Sequence, residues 1–346
     1  MPVTLTRLLA LCVSLFACLS PTQLFAGELG QPYFQSIDGT DSIANGIVTV
    51  VGEDRRGLIW FGTPEGLYSF DGQRLRAFRN QIADPRSISD DYIRGLMASS
   101  DGRLWVATQG QGVSIFDPDT EAFENHVPNP KQSGAIPSVA ALVLAQAPNG
   151  DVWVGFGNAG LARWDKALRQ YQRFDLGVDS SGAAVRTVRA LLFDRAGNLW
   201  IGTGNGLLRL AVGESKAQWV ASEPGVSGSF DRQYVYALFE ASDGRIWVGT
   251  QSQGAAVIDP KTAQLIRFNQ GDRAVSHPWI SGFVEPEEGR IWIHTYGGGI
   301  DIVDAPNDAI VQRIRGDLAV SGGLSLDRLT VLFRDQKGMV WVGTWG

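Results

Sequence analysis

The strongest constraint on this chain is a phrase that occurs seven times. GLIWFGT, GRLWVAT, GDVWVGF, GNLWIGT, GRIWVGT, GRIWIHT and GMVWVGT place Trp60, Trp105, Trp153, Trp200, Trp247, Trp292 and Trp341 at intervals of 45, 48, 47, 47, 45 and 49 residues. A period of that length means stacked repeats, in which each unit buries its apolar face only against the next. Three residues before every one of these tryptophans stands a glycine (Gly57, Gly102, Gly150, Gly197, Gly244, Gly289, Gly338), usually with Asp or Asn close by. Glycine accepts a positive φ and a short polar side chain bonds its own turn backbone, so each pair marks a tight hairpin.

Each hairpin joins two apolar runs. IVTVVGE, YIRGLMA, VYALFEA and LTVLFRD are examples of the first, and the second holds the tryptophan. A glycine-led third run follows, as in GLYSFD, GVSIFD, GLARWD and GGIDIVD, and then a short fourth, visible in LRAF, EAFENH, YQRF and LIRF. Four strands per repeat with no helical period predict an all-β fold, a seven-bladed β-propeller of four-stranded antiparallel blades. The indoles are expected to pack between neighbouring blades. The last blade is incomplete, because the sequence stops shortly after Trp341, where other copies run on into a third strand. That stop is expected to mark a truncated product or an excerpt, with an unpaired edge that invites aggregation. FQSIDGTDSIANGIV parallels FRNQIADPRSISDDYI, so residues from Tyr33 to Ile37 are expected to close blade seven as its outermost strand.

Composition narrows the function. The chain has 346 residues, 44% of them hydrophobic, and 30 Lys and Arg against 36 Asp and Glu give a net charge of -6. No basic block is present, so nucleic acid is not an expected partner. Both cysteines, Cys12 and Cys18, lie in a segment that reads as a secretory signal peptide over residues 1–26: Arg7, an apolar run from Leu8 to Leu19, and a small-residue exit at Ala26 and Gly27. A lipid anchor on Cys18 is the competing reading, disfavoured by Phe16. Cleavage leaves residues 27–346 as one propeller domain without cysteine, hence without disulfide or thiolate chemistry.

The signal peptide, the phrase DSIANGIVTVVGEDRRGLIWFGTPEGLYSFDG and the GxxWVGTxxGGL blades together resemble the two-component regulator propeller repeats of bacterial sensor proteins, over roughly residues 33–346. The resemblance implies a periplasmic ligand-sensing region of a sensor histidine kinase or diguanylate cyclase. Intact relatives continue into a second propeller, a β-sandwich, a membrane-spanning helix and the output domain, and work as dimers. None of those later parts is in this sequence, so membrane attachment and catalytic output are expected only of the intact relatives.

In a propeller the loops from the fourth strand to the next first strand, and from the second to the third, surround the channel, and a binding site is expected there. Eleven residues before each motif tryptophan stand Thr49, Arg94, Leu142, Arg189, Tyr236, Ser281 and Thr330; twelve before stand Val48, Ile93, Ala141, Val188, Val235, Ile280 and Leu329. The second column reads as packed and the varied first column as ringing the channel. Arg94, Arg189 and Tyr236 from that column, with His277, Trp279 and Tyr296 from the loops, are the candidate ligand-binding residues. The guanidiniums could equally meet carboxylates or channel water, and Trp279 could plug its loop into the blade. His294 stands where the other copies have Gly or Ala, and reads as a core histidine or a pH-sensitive element.

Catalytic signals are weak. His126, His277 and His294 show no metal-ligand spacing, and there is no nucleophile elbow or phosphate loop. No catalytic residue, metal or cofactor is expected. The ligand class expected is a small molecule, a carbohydrate fragment or related metabolite. Two rivals stand beside it: a secreted propeller enzyme acting on polysaccharide or a lactone-like substrate, and a protein-binding scaffold.

Overall fold

The computed structural model describes residues 32–37, 46–221, 229–317 and 319–345. The proposed signal peptide lies outside them, and Tyr33–Gly346 forms one compact unit. Among the described residues the regular structure is β-strand, apart from short 3-10 turns. The described residues form six four-stranded antiparallel sheets and one two-stranded sheet, each built from strands consecutive in sequence. We number them in chain order: sheet 1 spans 50–78, sheet 2 93–126, sheet 3 141–174, sheet 4 188–219, sheet 5 235–268, sheet 6 280–314 and sheet 7 329–344. In sheet 1 the order is Val50–Glu53, Ile59–Thr63, Gly66–Phe70 and Leu75–Phe78, the pattern read from the repeats.

The core is divided rather than central. Seven hydrophobic clusters lie between successive sheets, and each holds one motif tryptophan. Trp60 packs with Ile93, Leu104 and Phe116 of sheet 2, Trp200 with Val235, Ile246 and Val248 of sheet 5, and Trp341 with Val51, Phe61 and Tyr68 of sheet 1. The first strands follow the same order, each touching the first strand of the next sheet, and that of sheet 7 touching that of sheet 1. Between those two sheets Val48 N–H donates to Thr344 O (3.2 Å), Gln336 N–H to Glu53 Oε2 (2.8 Å), and the Trp341 ring meets Phe61 edge-on at 5.8 Å. Trp292 and Trp341 are half-buried, whereas the other five indoles are buried, because sheet 7 lacks the outer strands that would cover them.

The turn carboxylates serve the indoles as well as their own hairpins. Asp54, Asp194 and Asp335, six residues before their tryptophans, accept the indole N–H of Trp60 (3.1 Å), Trp200 (2.8 Å) and Trp341 (2.9 Å). Where that position holds Ser99 or Ala241, the indole nitrogens of Trp105 and Trp247 are buried without a partner. Replacing Asp194 with Ala is therefore expected to lower folding stability by about 2 kcal/mol in urea denaturation, since it orphans the Trp200 and Asn198 donors together.

Interlocking between sheets is set by one small residue. Two positions after the tryptophan stand Gly62, Ala107, Gly155, Gly202, Gly249, His294 and Gly343. A Cβ added at Gly155 would fall 2.6 Å from Val188 of sheet 4, and one at Gly249 2.7 Å from Ile280 of sheet 6. The ladder partner of each is complementary in volume: Val143 faces Gly155, Gly95 faces Ala107, and Gly282 faces His294. His294 is thus a packing substitution, 2% exposed, with Nδ1 unpaired.

The last sheet is incomplete as expected, with two strands, but the closing strand differs from the expectation: residues 32–37 form none. Phe34 N–H instead bonds Gly322 O (2.8 Å), while the Phe34 and Ile37 side chains pack on the two clusters flanking sheet 7. In the complete sheets the fourth strand pairs with the third; with no third strand in sheet 7, the segment from Tyr33 to Ile37 has no ladder to join. The fourth strand of sheet 4, Gln218–Trp219, is also too short to be read from pattern.

Candidate ligand-binding site

The first strands carry the site because they are bulged. In sheet 2 Ile93 pairs with Thr108 and Gly95 with Ala107, so Arg94 is an extra residue without an opposite number. The same irregularity frees Leu142, Arg189, Tyr236, Ser281 and Thr330 in sheets 3 to 7. A bulge bends the strand and re-aims the extra side chain. All six, with Thr49 of sheet 1, line a single cavity of about 740 Å³ to which every sheet contributes. The neighbouring column stays packed: Ile93, Ala141, Val188, Val235, Ile280 and Leu329 are fully buried.

Of the six candidates read from the sequence, Arg94, Arg189, Tyr236, Trp279 and Tyr296 line this cavity. His277 does not. Its Nδ1 accepts the Trp279 backbone N–H (3.1 Å), and its ring lies against Gly297 and Gly298, so it fixes the loop that carries the indole. The sequence reading missed Tyr92, Gln109, Tyr234 and Gln251, which also line the cavity. The signal was available. Thirteen residues before five of the motif tryptophans stand Tyr92, Ala140, Thr187, Tyr234 and Trp279, each immediately ahead of a first strand and two positions from the varied column. Four residues after motif tryptophans stand Gln109, Gly157, Gln251, Tyr296 and Trp345.

The lining is divided by chemistry. On sheets 5 to 7 Tyr236 meets Trp279 edge-on at 5.7 Å, Trp279 stacks on Tyr296 at 4.5 Å, and Tyr296 meets Trp345 at 6.2 Å. On sheets 2 and 4 stand the two guanidiniums. Arg94 donates to Tyr92 Oη (3.3 Å) and lies 5.1 Å from that ring's centre; Arg189 donates to Tyr236 Oη (2.6 Å) and lies 4.5 Å from its ring. Among the described residues neither pairs with a carboxylate, and no Asp, Glu or His lines the cavity. Burial raises the pKa of Tyr234, with Arg189 and Arg94 both pulling it the other way, so the two cations act on one space. Among the described residues no cluster of three or more His, Cys, Asp or Glu side chains could hold a metal ion, and no helix is long and apolar enough to cross a membrane.

Three segments, residues 87–110, 183–205 and 229–252, match the profile of the family described as two component regulator propeller. The chain carries two-component regulator propeller repeats. Each matched segment runs from the approach to a first strand to the turn after the tryptophan, and so contains cavity-lining residues of the propeller. No curated protein sequence matches the chain. Among solved structures, the extracellular domain of one hybrid two-component system of B. thetaiotaomicron is similar with a TM-score of 0.76 and 22% identity over 91% of this chain. That of a second such system gives 0.70 and 20% over 91%. The chain spans 41% and 38% of the length of those two. Virginiamycin B lyase from Staphylococcus aureus is similar at 0.63 and 13% identity, covering 87% of this chain and 92% of the lyase. At these identities the likeness is one of fold.

Proposed function

We propose that the seven sheets close into a seven-bladed propeller and that this propeller is the periplasmic ligand-sensing region of a bacterial signal-transduction protein, a sensor histidine kinase or diguanylate cyclase. The small ligand, of carbohydrate class, occupies the central cavity. The observation that carries this reading is the convergence of the varied column from all seven sheets on one cavity with an aromatic wall. Ligand binding would favour one arrangement of the attached dimeric machinery over another, which is how occupancy becomes output.

The rival readings find less support in the cavity. Acid–base chemistry by a carboxylate or an imidazole needs such a group in reach of substrate, and the described lining holds neither, its titratable side chains other than arginine being tyrosines. A protein-docking face would be broad and flat, whereas this site is a recess of small-molecule size. Calorimetric titration of the full chain with a panel of oligosaccharides tests the proposal. Trp279→Ala is expected to weaken binding about tenfold through loss of ring stacking. Affinity unchanged in both Trp279→Ala and Tyr296→Ala would place the site elsewhere.

A further inference from the structure

The geometry points to an acidic ligand: we propose that the cavity takes a ring-bearing carboxylate, its carboxylate held by Arg94 and Arg189 and its ring set against the Trp279–Tyr296 wall. This rests on reading the cavity as the sensing site.

The first support is a contrast with three other half-buried arginines, each paired with an acid. Arg245 bonds Asp243 and Asp308, both at 2.7 Å; Arg103 bonds Asp101 (2.8 Å), and Arg290 forms an ion pair with Asp304 (2.9 Å). In a chain with more acids than bases, a partner is easily supplied. Arg94 and Arg189 instead point from bulges into a space whose lining, among the described residues, contains no acid. Both are half-buried, so solvent neutralises them less well than it would at the surface.

The second support is preorganisation. Each guanidinium rests on a tyrosine ring and spends one donor on a tyrosine hydroxyl, which fixes its plane and leaves most of its five donors free. Arg94 Nε is buried without a partner, so the protein has not satisfied this group itself. Between the two cations sheet 3 presents Ala140, Leu142 and Gly157, which neither compete for them nor fill the space. Across the cavity the aromatic wall offers apolar ring surface, and Gln251 and Ser281 offer hydrogen bonds suited to hydroxyls. An anion alone would use only the basic side, and a neutral sugar only the aromatic side. A carboxylated ring uses both.

Titration calorimetry on the full chain with trigalacturonate, neutral galactotriose, benzoate and sulfate separates the cases. Trigalacturonate or benzoate is expected to bind about tenfold or more tighter than galactotriose, and added salt is expected to weaken that binding. Sulfate is expected to bind at least about tenfold more weakly than either. The better of the two carboxylates identifies the ring as sugar or arene. R94Q and R189Q, each checked for native circular dichroism, are expected to weaken carboxylate binding about tenfold and so close the gap to the neutral sugar. The salt dependence of the unmutated protein tests the same point without any variant. Galactotriose binding as tightly as trigalacturonate and benzoate, with no salt dependence, would overturn the acidic ligand and leave the sensing site standing. Sulfate binding as tightly as either carboxylate would reduce the site to a simple anion site and overturn the role of the ring. No binding by any compound would overturn both proposals.

Discussion

A single methyl group added at Gly249 is expected to cost about 2–3 kcal/mol of folding stability, as large as an overpacked core substitution becomes without rearrangement. The new Cβ would stand 2.7 Å from Ile280 Cγ2 and 3.2 Å from Ala237 Cβ, so it would push apart sheets 5 and 6 and strain its own ladder. The protein already contains the remedy. Ala107, in the equivalent position of sheet 2, faces Gly95 across its ladder and shares a cluster with Ala141, where sheet 6 has Ile280. Ala237→Gly and Ile280→Ala should therefore relieve Gly249→Ala. Urea denaturation of the single and combined variants is expected to give a favourable coupling of about 2 kcal/mol between Gly249→Ala and Ile280→Ala. Additive losses would mean that the two sheets do not interlock at this point.

The second large effect is a pH dependence. Burial pushes His294 from 6.5 to about 3. The unfolded chain takes up a proton at the ordinary value, and the folded chain does not until far lower. The neutral imidazole thus contributes stability that is full above pH 6.5 and is lost progressively as the pH falls toward 3. At about 1.4 kcal/mol per pH unit, roughly 2 kcal/mol should disappear between pH 6.5 and pH 5. Burial also lowers the pKa of His126, against the opposing pull of Glu124, so the unmutated protein's profile contains both histidines. A comparison isolates His294. The pair Gly282→Ala with His294→Gly installs the Ala and Gly ladder partners found at Ala190 and Gly202, and its stability profile should be flatter over this range by that amount. An identical profile in the paired variant would remove His294 as the cause.

These two sites show what the sequence could and could not convey. The hairpins, the tryptophan rows and the four-strand order were legible because each rests on a repeated local rule: a glycine three residues before each of seven indoles, and a glycine-led strand after six of them. The inward column was legible for the same reason, since Arg94, Leu142, Arg189 and Tyr236 vary where their neighbours stay apolar. What joins distant positions was not. That Gly282 makes room for His294, or that Ala141 permits Ala107, emerges only once the ladders and sheet neighbours are known. The bulges that aim Arg94 and Arg189 leave no mark in composition, because the freed residue and its paired neighbours read as one continuous strand. The choice between a carboxylate and a tyrosine as the arginines' neighbour was equally hidden, as it depends on the rings of Tyr92 and Tyr236. His277 was misplaced because a loop position near the channel does not say which way an imidazole faces. The segment from Tyr33 to Ile37 was assigned to a strand by analogy with complete repeats, where a third strand is present to receive it.

The claim on which the rest depends is that sheet 7 meets sheet 1, so that the seven first strands surround one cavity. Cysteine cross-linking tests it most directly. Cys12 and Cys18 are the natural cysteines, so replacing them with serine and introducing Glu53→Cys and Gln336→Cys leaves one reactive pair, at positions joined by the Gln336 N–H to Glu53 bond. A short bismaleimide should link the two in the native protein in high yield, giving a faster-migrating circular species on a denaturing gel, and urea should abolish the reaction. Failure to link under native conditions, with both thiols reactive, would mean that the sheets form an open array and that the cavity does not exist as described.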